Sequence, residues 1–333
     1  MTRAWSLKSR PNGMPVASDF ALIDVPVAAL AEGEVRVANR WLSVDPYMRG
    51  RMNDVKSYVP PFVLGEAMQG GAIGEVTESR AEGAAVGDMV QHMLGWRDEA
   101  VLPGKQVQKL PGLAVPPQQF LGLLGMTGMT AYFGLLRVAA AKPGDVVFVS
   151  AAGGAVGSTV VQIAKASGMT VIGSAGGAEK GALVTGIGAD TVIDYKSEGP
   201  LVKKLQAAAR DVGDGGIDVY FDNVGGEHLD AALAVANLNA RFAICGMIDV
   251  YNSSAPTELR YLARLIGMRV RMSGFIVSDY LAEAAEFYRV MGGWLAEGKL
   301  HNEETVFDGL DAAPEAFLAL FSGGNSGKML VRV

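Results

Sequence analysis

"VSAAGGAVGSTVVQIAK", residues 149–165, is a β-branched run, then a burst of small residues, then apolar residues at helical spacing. A strand-to-helix turn gives up its side chains when something must touch its backbone. Gly154 would let a pyrophosphate approach closely, and Gly157 would let the helix pack tightly on the strand. A helix beginning near Gly157 and Ser158 would direct free N–H groups at phosphates. Ala152 stands where the first glycine of G-x-G-x-x-G belongs, so the fingerprint is imperfect. A purely structural tight turn is the plain alternative, and the surrounding pattern decides between them.

Strand candidates flank the loop on both sides: "DVVFVSA" (145–151), "TVIGSA" (170–175), "DTVIDY" (190–195), "IDVYFDNV" (217–224), "RFAICGM" (241–247) and "VRMSGFIV" (270–277). Amphipathic segments such as "STVVQIAKASG" and "LVKKLQAAARDVG" lie between them. Continuous apolar strands alternating with helices indicate an α/β fold, a doubly wound parallel sheet covered on both faces. Six strands fit two mononucleotide-binding halves. In that context the loop Ala152, Gly153, Gly154, Ala155, Val156 and Gly157 reads as a nucleotide site. Gln118 to Ala140 reads as helical. The first third differs: "GEVRVANRWLSVDP", "GGAIGEVTES" and "VGDMVQHM" alternate apolar and polar residues between Gly and Pro, an all-β texture. The tail beyond Lys299 returns to short mixed segments. The expected division is residues 120–298 for the nucleotide domain, with 1–119 and 299–333 forming the β-rich one.

A site for NAD expects Asp or Glu at the end of the second strand. Here that strand runs into "VIGSAGGAEK", with Ser174, Ala175 and Gly176 at its tip and Lys180 following. A cation with hydroxyl donors suits a 2′-phosphate, and Tyr195 at the end of the third strand would add another donor. NADPH is therefore expected over NADH. The plain alternatives are a solvated Lys180 and a strand-end aromatic at 195.

The 333 residues carry 29 Lys plus Arg against 35 Asp plus Glu, a net charge of −6, which argues against a nucleic-acid binder. One cysteine, Cys245, excludes an internal disulfide and a multi-thiolate zinc site. No apolar h-region is visible in "MTRAWSLKSRPNG", and "FLGLLGMTGMTAYFGLL" (120–136) is short for a bilayer span and broken by Gly and Thr. A cytoplasmic protein without membrane contact is expected. "ELRYLARLIGMRVRM" carries Arg260, Arg264, Arg269 and Arg271 and reads as a helix of the nucleotide domain with solvated charges.

The set "SVDPYMRGRM", "GMTGMTAYFGL", "SAAGGAVGS", "DVYFDNVGG", "CGMIDVYN" and "GNSGKMLV" resembles the zinc-independent medium-chain dehydrogenases/reductases. Within them it is most similar to the group of leukotriene B4 12-hydroxydehydrogenase, prostaglandin reductase, alkenal double-bond reductase and curcumin reductase. The resemblance spans nearly the whole chain. It implies a GroES-like β-rich domain, a Rossmann domain, NADPH/NADP+ and a homodimer, commonly through joined Rossmann sheets. It also implies reduction of carbon–carbon double bonds conjugated to a carbonyl. The residues agree with a metal-free site: Asp45 stands in the region of a zinc-ligand cysteine, Gly65-Glu66 replaces a His-Glu pair, and His92, His228 and His301 are scattered.

In such a reaction hydride adds to the β-carbon of an enal or enone, and negative charge gathers on the carbonyl oxygen. A donor aimed at that oxygen lowers the barrier. Tyr251, just after the fifth strand, is the first candidate. From the residues alone a packed loop aromatic is an equal alternative, and the resemblance favours the catalytic role. Tyr47 and Tyr58, from the β-rich part, are the second candidates, as donor or as pocket walls. Arg49 and Arg51 read as structural or surface charges. Asn223 and the strand end Cys245, Gly246 and Met247 are expected beside the cofactor, with Phe275 and Val277 from the sixth strand. The resemblance adds Met126, Thr127, Gly128 and Asn325 near the nicotinamide. Cys245 has no His neighbour to make it a nucleophile. Alternatives are an NADPH:quinone reductase, a methyltransferase using another adenosyl cofactor, and a non-catalytic NADPH-binding protein.

Overall fold

Alternating apolar and polar residues build antiparallel strands in the first third, and continuous apolar runs beyond residue 145 build a parallel sheet. The computed structural model describes residues 1–253 and 255–333. They form two units: Met1–Leu121 with Glu304–Asn325 and Met329–Val333, and Gly122–Glu303 with Ser326–Lys328.

In the first unit β1 (Thr2–Leu7) and β2 (Phe20–Val25) form an antiparallel ribbon. The main sheet contains β3 (Glu34–Ser43), β4 (Ala72–Ser79), β5 (Met89–His92), β6 (Glu99–Pro103), β7 (Gln108–Lys109), β14 (Glu304–Asp308) and β15 (Lys328–Arg332). Its order is β14-β15-β3-β4-β5-β7, with β6 also paired to β3. β3 shows the cause of burial on one face only: Val35, Val37 and Asn39 point inward while Arg36, Ala38 and Arg40 do not. Trp96 stacks on Phe20 at 6.1 Å and meets Phe317 of α9 (Ala313–Ser322) edge-on at 6.1 Å. The short α1 (Met48–Arg51) sends Met48 into the same cluster.

The second unit holds β8 (Val146–Val149), β9 (Thr170–Ala175), β10 (Thr191–Asp194), β11 (Ile217–Asp222), β12 (Ala236–Ile244) and β13 (Arg271–Gly274). They are parallel throughout, in the order β10-β9-β8-β11-β12-β13. This is the 3-2-1-4-5-6 order of a doubly wound Rossmann sheet, and it reverses between β8 and β11, where a crevice opens at the carboxyl ends. Around the sheet run α2 (Met126–Phe133), α3 (Ala155–Ala166), α4 (Ala178–Gly186), α5 (Leu201–Val212), α6 (Gly226–Val235), α7 (Arg264–Met268) and α8 (Ala284–Ala296). Beneath the crevice Phe148 stacks on Tyr220 at 5.1 Å. Among the described residues no helix is long and apolar enough to cross a membrane.

Four expectations are corrected. The helix expected from Gln118 to Ala140 is instead a 3-10 turn (Pro117–Leu121), α2 and a π turn (Gly134–Val138). The Gly122 carbonyl accepts bonds from the Gly125 and Gly128 amides and the Thr127 hydroxyl, which turns the chain there. The fifth strand starts at Ala236 rather than 241 and carries an irregularity opposite β11, with Asn239 at φ 64°. The sixth stops at Gly274, and Val277 opens a 3-10 turn. The basic stretch 258–272 yields only the five-residue α7. There Arg260 pairs with Asp230, Arg264 bonds the Leu233 carbonyl, and Ile266 is 85% exposed.

Candidate active site

The glycine loop follows β8 and is tied down on three sides. The Ala152 amide donates to the Ser174 carbonyl (2.8 Å), linking the loop to β9. The Gly154 amide donates to Ala151 (2.9 Å), which adopts a left-handed φ of 48°. The Gly327 amide, from the far end of the chain, donates to the Gly153 carbonyl (2.8 Å). Helix α3 begins at Ala155, two residues earlier than expected, with Gly154 as its N-cap. The first-turn amides of Ala155, Val156 and Gly157 therefore face the crevice side without helical acceptors. The two key glycines have different causes. A Cβ on Gly157 would lie 2.2 Å from the Ala151 carbonyl oxygen, so helix–strand packing itself demands glycine. A Cβ on Gly154 would meet nothing closer than that oxygen at 3.3 Å, and its φ of −87° suits any residue. The fold does not require glycine at 154; a close ligand would.

Beside this loop, Lys180, Tyr195 and Lys196 gather around Gly153 and Gly176. A Cβ on Gly153 would lie 3.7 Å from the Lys180 Cβ. One on Gly176 would lie 2.8 Å from the Tyr195 hydroxyl and 2.9 Å from the Lys196 Cε. Burial, and after it the neighbouring Lys196, pull the Lys180 pKa down, while Glu179 opposes. Burial, then Asp194, raise the Tyr195 pKa. Asp194 organises the group by accepting the Gly177 amide (3.0 Å) and the Lys196 amide (2.9 Å). Two ammonium groups and a phenol next to a carboxylate-free β9 tip suit a phosphate monoester. Lys196 escaped the sequence reading, which looked for cations only after the second strand. In a parallel sheet the tip of the adjacent β10 lies alongside, and that adjacency was the missed signal.

Ser174 is a correction. It is fully buried, and its hydroxyl is 2.8 Å from His228 Nε2, so it faces the helix layer rather than the strand tip. Burial pushes the His228 pKa down to about 4, keeping the ring neutral.

At the ends of β11 and β12 a second group forms. Asn223 donates its side-chain amide to the Ser150 carbonyl (2.7 Å) and its backbone amide to the Ser150 hydroxyl (2.9 Å), bridging the tips of β8 and β11. Asp222 is fully buried, and one carboxyl oxygen accepts the Tyr220 hydroxyl (2.7 Å) and the amides of Val224 (2.9 Å) and Gly225 (2.7 Å). Burial raises its pKa against those bonds. Its backbone carbonyl accepts the amides of Cys245 (2.9 Å) and Gly246 (3.1 Å), which sets the end of β12. Tyr251 follows a 3-10 turn (Ile248–Val250) and folds back over that end. A Cβ on Gly246 would lie 3.1 Å from the Tyr251 hydroxyl, which accepts the Met247 amide at 3.4 Å. Burial, then Asp222, push the Cys245 thiol up to about 12, so it stays protonated.

Thr127 lies near the glycine loop. With Gly122, Ala155, Ser158, His301 and Lys328 it lines a cavity of about 10 Å³, room for roughly one water. Met126 and Gly128 flank it in α2. Phe275 lies edge-on to Phe221, near the carboxyl end of β11, at 6.3 Å and against Gly134. Val277 is half-buried one turn on, and Asn325 is half-buried in the loop before β15. In the β-rich unit Tyr47 precedes α1 with its hydroxyl buried, and Tyr58 is 63% exposed. Arg49 and Arg51 are both buried. Arg49 holds the Gly13 carbonyl (2.8 Å) and Asn53 (2.7 Å). Among the described residues no three His, Cys, Asp or Glu gather to hold a metal ion.

Two family models match the chain: an N-terminal domain of oxidoreductase over residues 3–110 and a zinc-binding dehydrogenase over residues 155–294. The NADPH-dependent curcumin reductase of Escherichia coli is 41% identical, with 99% of this chain and 96% of that protein covered. The NADP(+)-dependent 2-alkenal reductase of Nicotiana tabacum is 40% identical over 98% of this chain and 96% of its own length. The crystal structure of CurA from Vibrio vulnificus in complex with NADPH superposes with a TM-score of 0.93 at 41% identity, covering 99% of both chains. Matched end to end by such relatives, and built on the sheet and glycine loop described above, this chain belongs to the medium-chain dehydrogenase/reductase family, in the group that holds the curcumin, 2-alkenal and prostaglandin reductases.

Proposed function

We propose that this chain is an NADPH-dependent reductase of the carbon–carbon double bond in α,β-unsaturated aldehydes and ketones. The observation that carries the chemistry is the Tyr251 phenol at the carboxyl end of β12, held over Gly246. Relatives over the full length act on such substrates by name, and one is described in complex with NADPH. The residues fit that cofactor. The Gly153–Gly157 backbone would take the pyrophosphate, with Ala152 beneath it. Lys180, Lys196 and Tyr195 would take the 2′-phosphate beside Ala175 and Gly176. Asn223, Cys245, Gly246, Met247 and the Met126–Gly128 turn would line the nicotinamide half.

When bound, the reduced nicotinamide supplies hydride to the substrate β-carbon. The chain's own part is to stabilise the charge that then develops on the carbonyl oxygen. Tyr251 is the donor of this proposal. A phenol stays neutral far above physiological pH, so it donates a hydrogen bond without a preceding proton loss.

Two further readings belong to the same proposal. A homodimer is supported by β13, an edge strand flanked by exposed Ile266 and Leu262; light scattering that finds a monomer removes it. A cytoplasmic location rests on the single thiol. The activity is tested by anaerobic single-turnover oxidation of bound NADPH with an enone and, in parallel, a quinone. Fast enone-dependent oxidation is expected. Exclusive response to the quinone would assign a quinone reductase instead, and no response to either would leave a cofactor-binding protein.

A further inference from the structure

Tyr195 carries a phenol that its own strand does not hold in place. β10 stops at Asp194, and the Tyr195 amide donates to the Ala175 carbonyl at 3.3 Å, a long bond beyond the last β9–β10 pair. The residue is 41% exposed, and a Cβ on Gly176 would lie 2.8 Å from its hydroxyl and 2.9 Å from the Lys196 Cε. Phenol and ammonium thus converge at the tip of β9, within reach of a ligand. A side chain that half faces solvent has rotamer freedom to lose before it can meet one.

The ring that restrains it is His228. The imidazole meets the Tyr195 ring edge-on, with centroids 5.4 Å apart and planes at 73°. It lies in the first turn of α6, buried, and is itself fixed twice. Its Nε2 is 2.8 Å from the fully buried Ser174 hydroxyl, and its face lies nearly parallel to Phe148 at 6.4 Å. Packing alone does not call for this pair, because replacing two bonded polar groups by apolar ones of the same shape is close to neutral. What the bond adds is orientation: it selects one of the two χ2 settings that shape leaves open to a flat ring. Ser174 and His228 form a fixed post behind the β9 tip, and Tyr195 leans on it. All of these residues belong to the nucleotide unit.

We propose that His228 is a positioning residue for NADPH, anchored by Ser174 and setting the Tyr195 phenol over Gly176 for the 2′-phosphate. The proposal rests on the reading of Tyr195 as a 2′-phosphate donor. It returns Ser174 to the cofactor site by an indirect route, since its hydroxyl serves the phosphate through two rings rather than by contact. It also gives a use to a histidine that the sequence showed only as an isolated one.

The test compares His228→Gln, Ser174→Ala/His228→Phe, Tyr195→Phe and His228→Gln/Tyr195→Phe in the full chain. The readout is calorimetric affinity for adenosine 2′,5′-bisphosphate and for 5′-AMP, which differ in the 2′-phosphate and need no turnover. Glutamine keeps a hydrogen-bonding group for Ser174 and removes the ring. His228→Gln is expected to weaken the bisphosphate about fivefold, the scale of an aromatic pair, with 5′-AMP unchanged. Ser174→Ala/His228→Phe should recover most of that loss, because it restores an aromatic edge without stranding the hydroxyl. In the Tyr195→Phe background the glutamine should cause no further loss. Equal losses for both nucleotides, no recovery by phenylalanine, or an undiminished loss without the Tyr195 hydroxyl would overturn the proposal. If His228→Gln does not fold, Ser174→Ala/His228→Leu removes the ring and both polar partners together, with the same expectations. The two layers separate cleanly. A Tyr195→Phe chain that binds the bisphosphate as the native chain does would sink the donor reading and the proposal with it; a weakened Tyr195→Phe chain beside an unaffected His228→Gln chain would keep the donor and overturn the positioning alone.

Discussion

Replacing Gly154 by alanine separates what the fold needs from what a ligand needs. At 154 the backbone has φ −87° and ψ 174°, and the new methyl would meet only the Ala151 carbonyl oxygen, at 3.3 Å. A glycine-to-alanine change at a compatible conformation gains about 0.4–1 kcal/mol by restricting the unfolded chain. Alanine is a poorer N-cap than glycine by a comparable amount. Stability without cofactor should therefore move by less than about 1 kcal/mol. If a pyrophosphate rests on this backbone, the methyl intrudes into a packed contact, and overpacking costs roughly 1–3 kcal/mol. That translates to NADPH binding weaker by roughly five- to 150-fold. Gly157→Ala is the contrasting control. Its methyl would lie 2.2 Å from the Ala151 oxygen, about 1 Å inside ordinary contact. It should lower stability itself by about 1–3 kcal/mol. The assays are urea unfolding without cofactor and NADPH titration by fluorescence. A Gly154→Ala protein that is stable and binds NADPH within twofold of the native chain would refute the placement of the phosphates over this loop.

Lys180→Ala and Lys196→Ala should each weaken NADPH about tenfold relative to NADH, as befits partly exposed charge-assisted bonds to a phosphate; equal losses for both cofactors in titrations would take the lysines off the 2′-phosphate. Tyr251→Phe should cut the single-turnover rate about 10²-fold or more while leaving NADPH affinity intact, and an unchanged rate would discard it as the donor. His228 has a folded-state pKa of about 4 against an ordinary 6.5, so its neutral form stabilises the fold above pH 6.5 and that contribution is lost as pH falls toward 4. Between pH 7 and 4.5 the native chain should lose about 2 kcal/mol more than a His228→Asn variant. Urea unfolding at the two pH values checks this, and parallel losses would show that His228 is not held neutral.

The parallel sheet and its nucleotide turn were legible because their cause is local. β8 and β9 are apolar without alternation, and the small residues sit at the seam. The doubly wound order then follows from alternation with helices. What escaped depends on neighbours distant in sequence. Arg51 lies four residues from Tyr47 in a polar-looking stretch, and nothing local tells that Gln69 and Phe62 will enclose it. Ser174 looks like a strand-tip hydroxyl until His228 of α6 claims it from the other side of the sheet. The uninterrupted helix expected over residues 118–140 fails because the Gly122 carbonyl collects three donors, a competition that apolar spacing does not reveal. Lys196 was missed because the tip of β10 becomes a neighbour of the tip of β9 only once the strand order is known.

The bond from the Gly327 amide to the Gly153 carbonyl has a consequence for how this protein can be taken apart. The chain leaves the nucleotide unit at Glu303, builds part of the other unit, and comes back at Ser326–Lys328 before leaving again. A contiguous excision of residues 122–303 would strip the phosphate turn of the donor that clamps it. Neither unit can thus be transplanted as a single cassette, and a nascent polypeptide completes its nucleotide turn only after residue 327 has emerged.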